Sequence, residues 1–120
     1  MSYTKYLEYK TTFDDQDVSM KMKRWTRGAY MELAPLMIKA RDVDNEIEGN
    51  LLAIELSDAM VKNLPDHIED FKGPKDDDGN RVSLKEVIDD VYFLPLVNEI
   101  VNQMTVISYH PEIEGDGLKK

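Results

Sequence analysis

Between Asp17 and Met37 the hydrophobic period of the chain changes, and this change constrains the fold more than any other feature. Val18, Met20 and Met22 alternate with Ser19, Lys21 and Lys23, as in a strand with one face in a core and one in water. From Tyr30 onward the spacing becomes three and four, through Leu33, Ala34 and Met37, which is the stripe of an amphipathic helix. A strand therefore runs directly into a helix. Lys21, Lys23, Arg24 and Arg27 fall in the same stretch of a chain whose formal charge is -9. They read as the solvent face of the strand and the helix entrance, because an acidic surface with one short basic stripe repels a nucleic-acid duplex.

The residues before this junction supply a partner strand. Tyr3, Lys5, Leu7, Tyr9, Thr11 and Phe13 form one alternating face, and Thr4, Tyr6, Glu8, Lys10 and Thr12 a more polar one. Asp14 to Asp17 then reads as a four-residue turn, which makes an antiparallel hairpin the simplest topology. After it, Thr26 is placed to cap the helix with its hydroxyl. Pro35 removes a donor inside that helix, so a kink or break is expected near Met31 to Pro35.

Asp42 to Asp58 holds six acidic residues and no basic one, with Gly49-Asn50 as a breaker; it reads as a loop entering a second helix. Leu52, Leu56, Ala59, Met60 and Leu64 line one face of that helix, and a short strand over Leu52 to Leu56 is the alternative. Pro65 should end it. Residues 65–82 contain breakers and an Asp-Gly-Asn turn, with Phe71 and Val82 as the expected core contacts. Ser83-Leu84-Lys85-Glu86 is a capping box. Leu84, Val87, Ile88 and Val91 follow at helical spacing. Pro95 opens a further helix carrying Val97, Ile100, Val101 and Met104, after a corner at Phe93-Leu94.

A length of 120 residues suits one domain over 1–108, with 109–120 expected to be a flexible tail. The expected fold is α+β: an N-terminal antiparallel hairpin followed by a small bundle of three to five helices. With no Cys, thiolate chemistry and Cys-ligated zinc are excluded. The opening residues lack the apolar core of a signal peptide, and no run approaches the roughly 18 apolar residues of a membrane span. The expectation is a soluble, intracellular chain.

Chemistry is hard to find. Lys75 to Asn80 superficially resembles a calcium loop, but aligning Gly79 with the sixth position puts Pro74 and Lys85 where the first and last carboxylates belong. His67 and His110 have no companion ligands at zinc spacing. The serines fit no nucleophile elbow, the glycines form no phosphate cradle, and acidic pairs are too abundant to single out. No catalytic, cofactor-binding or metal-binding residue is expected. Trp25, the only tryptophan, reads as a hydrophobic staple against Tyr30 or Met31, or else as an exposed partner contact. Met20, Met22, Met31, Met37 and Met60 read as core, with an adaptable partner surface as the alternative.

The order of MKMKRWTRGAYMELAPLM, LPDHIEDFKGPKDDDGNRVSL and FLPLVNEI resembles tail assembly chaperones of long-tailed bacteriophages and prophages. Three stretches carry it: the basic strand-to-helix junction (Met20 to Leu36), the Phe-x-Gly and Asp-x-Asp-Gly loop (Phe71 to Gly79) followed by a capped helix, and the Phe93-Leu94-Pro95-Leu96-Val97 corner. The resemblance implies a non-enzymatic protein that binds helical segments of the tape measure protein during tail morphogenesis in the host bacterial cytoplasm. It implies absence from the mature virion. Contacts with that partner would draw on Trp25, Tyr30, Met37, Leu96, Ile100 and Met104, each of which reads as core first and partner surface second; weak self-association in a homo-oligomer is also expected. No nucleic acid and no membrane is expected as a partner. The alternatives are a structural tail or connector subunit that joins neighbours through the hairpin edge, and an acidic inhibitor that displays Asp42 to Asp58 and Asp66 to Asp78.

Overall fold

The computed structural model describes residues 4–109. Two strands, β1 (Leu7–Phe13) and β2 (Gln16–Met22), form the antiparallel hairpin, with Leu7 opposite Met22 and Phe13 opposite Gln16. The turn is shorter than the run of polar residues suggests. Gln16 and Asp17 belong to β2, and Asp14 and Asp15 alone connect the strands. Both have positive φ, 53° and 61°, which matches the right-handed twist of a two-residue hairpin and is tolerated by aspartate. Along β1 the odd-numbered residues are half-buried and the even-numbered ones exposed, as the alternation predicts. Tyr3, expected to begin this strand, lies outside the described residues.

A third strand, β3 (Ile68–Lys72), pairs antiparallel with β2 and makes the sheet order β1-β2-β3. It falls in a segment expected to be irregular. Between the pairs Ser19–Lys72 and Lys21–Glu69 the register shifts, so Asp70 and Phe71 face the single residue Met20. This is a bulge, with Asp70 at φ 52°. A bulge destroys strict alternation, so the period that reveals β1 and β2 is absent from Ile68 to Lys72.

Among the described residues, four α-helices follow the hairpin: α1 (Arg27–Asp42), α2 (Glu46–Asn63), α3 (Leu84–Asp89) and α4 (Leu94–Tyr109). Thr26 caps α1 by accepting the Ala29 N–H at 3.2 Å, and Pro35 lies inside α1 without ending it. Asn45 caps α2 through the Glu48 N–H. Gly49 and Asn50 belong to the early part of this helix and do not break it. Leu52 to Leu56 lie in this helix as expected, and the alternative of a short strand there is not observed. Ser83 accepts the Glu86 N–H and so opens α3. A 3-10 turn at Val91–Phe93 makes the corner, and Pro95 sits in the first turn of α4. Val91, expected on the inner face of α3, is in that turn and points to water at 78% exposure. Tyr109 closes α4; the rest of the expected tail lies outside the described residues.

One core joins these elements. Val18, Met20 and Met22 turn the inner face of the sheet toward Leu33, Leu64, Val87, Leu96, Ile100 and Met104, all essentially inaccessible to water. Side chains of this size each stabilise the fold by about 1.5–3 kcal/mol when fully buried. Phe13 also packs on Phe93 and Tyr92, with ring centroids 5.4 and 5.7 Å away, and so ties the hairpin tip to the corner before α4. Gly73 is required by close approach: a Cβ there would lie 2.4 Å from the Val82 carbonyl oxygen.

Candidate partner-binding surface

Two of the four basic side chains at the junction make contacts within the fold. Lys21 pairs with Asp70 at 3.3 Å, and Arg24 donates to the Ile107 and Thr4 carbonyl oxygens. The Trp25 amide donates to Ser108 Oγ at 3.0 Å, which fixes the entrance of α1 against the end of α4. Its indole is buried and stacks edge-on against His67, 5.0 Å between centroids. Tyr30 and Met31, the residues expected to staple against Trp25, are 43% and 59% exposed. Among the described residues, the Trp25 indole N–H is buried without a hydrogen-bond partner.

His67, weighed from the sequence only as a metal ligand, is a buried polar group at 2% exposure. Its Nδ1 is 2.7 Å from the Asn63 carbonyl and its Nε2 accepts the Thr26 N–H at 3.1 Å. A carbonyl can only accept and an amide N–H can only donate, so the proton is on Nδ1. With both nitrogens engaged, no lone pair is left for a metal. His110 lies outside the described residues. The Asp76, Asp77 and Asp78 carboxylates lie within 4.8 Å of one another and are exposed. Asp76 Oδ1 is already occupied by the Asp78 and Asn80 amides, both at 2.9 Å, so its carboxylate shapes the turn.

The six residues named as partner contacts separate by depth. Trp25, Leu96, Ile100 and Met104 lie in the monomer core, the last three at 1%, 0% and 0% exposure. Met37 is half-buried and lines an open groove of about 500 Å³ with Leu56, Met60 and Val101, where α1, α2 and α4 meet. Tyr30 is at the surface.

An exposed apolar stripe that repeats at helical spacing lies on α2. Leu52, Leu56, Ala59 and Met60 turn inward, whereas Ile47, Leu51 and Ile54 recur at four and three on the opposite side, 73%, 62% and 66% exposed. At 100° per residue the two stripes are about half a turn apart. A helix apolar on two faces and covered on one is unusual in an isolated domain. Ile38 of α1, itself exposed, extends the surface, since it and Leu51 line an open groove of about 550 Å³ with Val43 and Leu52. The spacing of Ile47, Leu51 and Ile54 was the available sequence signal, hidden because the inner stripe alone accounts for a helix.

No family model matches the chain, and no curated protein or solved structure does either. Among the described residues, no helix is long and apolar enough to cross a membrane.

Proposed function

We propose that the chain is a tail assembly chaperone of a long-tailed bacteriophage or prophage. It acts in the host cytoplasm without catalysis and holds helical segments of the tape measure protein in solution until the tail tube encloses them. The residue resemblance of the three stretches described above suggests the family. The observation that carries the reading is the outward stripe of Ile47, Leu51 and Ile54, uncovered on a helix whose other side completes the core. A domain that leaves such a surface to water is suited to receive an amphipathic helix. Transient holding also accounts for the proposed absence from the finished particle.

Co-expression with the tape measure protein, followed by purification on a tag on either chain, tests this. The expected result is a complex that keeps the tape measure protein soluble, and failure to bind any of its segments would sink the reading.

A structural tail subunit is the second reading. It draws on β1, which is an edge of the sheet and offers one row of backbone groups to a neighbouring strand. Mass spectrometry of purified particles separates the two, because only the structural subunit is present in stoichiometric amounts.

A further inference from the structure

We infer that the outer face of α2, with Ile38 of α1, is a docking site for an amphipathic helix whose apolar stripe is flanked by Lys and Arg. This rests on the chaperone reading for the identity of the partner but not for the chemistry of the site. The apolar part is Ile47, Leu51 and Ile54, with Ile38 across the groove. Its surroundings are what select the occupant. Glu48 and Glu55 lie along one side of the stripe at helical spacing and line the same groove, together with Asp42. Asp58 continues the line of the stripe toward the C-terminal end. From Asp42 to Asp58 the chain has no Lys or Arg. The one base of α2, Lys62, is held by Asp58 at 3.0 Å, and among the described residues Lys39 of α1 is the single cation lining the groove.

An apolar strip with an acidic margin attracts a partner whose charges have the opposite sign and repels one with the same sign. A second copy of this chain is therefore a poor occupant, since symmetric pairing would bring the two acidic margins together on chains of formal charge -9 each. A basic-flanked helix buries the stripe and neutralises the margin in one event. The carboxylates then govern encounter and selectivity, and the isoleucines and leucine govern how long the helix stays.

The test uses the intact chain and two synthetic peptides of about 20 residues, long enough for a marginal helix to form on contact. Both carry the same leucine stripe; one is flanked by Lys and Arg, the other by Glu. Fluorescence anisotropy should show binding of the basic peptide, weakening as salt is raised, and little binding of the acidic one. Leu51→Asp should weaken the basic peptide roughly tenfold or more, and the double variant Glu48→Lys, Glu55→Lys should turn the preference toward the acidic peptide. If Leu51→Asp perturbs the circular dichroism of the helices, Ile54→Asp takes its place. Equal binding of both peptides overturns the inference, as does binding that ignores Leu51 and Ile54. A stable dimer that Leu51→Asp dissociates overturns it too, since the occupant would then be a second copy. The outcomes separate this inference from the chaperone reading. A tape measure complex insensitive to Leu51 and Ile54 removes the site and leaves the chaperone; peptide binding without a tape measure complex does the reverse.

Discussion

The Nε2 of His67 accepts a hydrogen bond from the backbone N–H of Thr26, 3.1 Å away, and so joins the start of α1 to the turn that leads from α2 into β3. The carbonyl of His67 in turn accepts the Lys23 N–H at 2.8 Å. One residue thereby fixes the strand-to-helix junction from both its side chain and its backbone.

His67→Ala leaves the Thr26 N–H and the Asn63 carbonyl without their present partner and opens a void beside Trp25. Loss of two hydrogen bonds and of packed volume at a buried position is expected to cost about 2–4 kcal/mol. Urea unfolding followed by tryptophan fluorescence measures this directly. A change below about 0.5 kcal/mol, the usual range at an unconstrained surface position, would refute the assigned role.

Gly73→Ala pushes a Cβ to 2.4 Å from a backbone oxygen and 2.8 Å from the Phe71 ring. The oxygen belongs to Val82, whose amide is itself bonded to the Pro74 carbonyl at 2.8 Å, so the contact is relieved only by moving backbone. Overpacking of this kind costs about 1–3 kcal/mol. Thermal unfolding should show a lower Tm in the variant, whereas Gly28→Ala, with open space around the new methyl group, should match or exceed the parent.

Alkaline conditions should weaken the contact between the sheet and α4. Burial, and then the hydrogen bond its hydroxyl donates to Glu99, push the Tyr9 hydroxyl above the ordinary tyrosine value of about 10. Folding therefore favours the protonated phenol. Its contribution is complete below about pH 10 and is lost as pH rises from there through the raised folded value. Stability measured from pH 9 to 11 should fall more steeply for the parent than for Tyr9→Phe. Equal slopes would remove Tyr9 from the account.

The two faces of α2 should respond in opposite ways. Ile47→Gln, Leu51→Gln and Ile54→Gln replace side chains already in water and are expected to change stability by less than about 0.5 kcal/mol. Met60→Ala on the inner side should cost about 2–4 kcal/mol. Denaturation midpoints of the four variants make the comparison, and a large loss from the outer three would mean that their surface is covered within the monomer.

Leu96→Ala, Ile100→Ala and Met104→Ala should each unfold at distinctly lower denaturant concentration, by about 2–5 kcal/mol, because their side chains are almost wholly inaccessible. These positions report on the core. A variant that kept full stability while losing a partner would show that its side chain reaches the surface.

The fold was legible wherever one physical signal acted alone. Alternation marked β1 and β2, and Thr26 and Ser83 marked the starts of α1 and α3, because each cap depends on a hydroxyl close to the amide it accepts. Reading failed where two demands overlap. Gln16 and Asp17 are as polar as a loop yet pair across the hairpin, and Ile68 to Lys72 lose their period to the bulge at Asp70. The candidate surface was read less well than the fold. Burial depends on what other elements cover, which is why apolar positions on α4 looked as available as those on α2. Ile47, Leu51 and Ile54 had the right spacing, but nothing local tells a helix which of two apolar faces will be left over.

The central strand β2 has one neighbour immediately before it in the chain and another, β3, far downstream, and its apolar face is closed in part by α4, the last helix described. Synthesis therefore delivers Met20 and Met22 well before Ile100 and Met104. At the usual roughly 5–20 residues per second, the nascent hairpin waits several seconds for its cover. Truncations that stop short of α4 should leave ribosomes carrying a chain with an open methionine face, the state in which nascent-chain chaperones would engage it most.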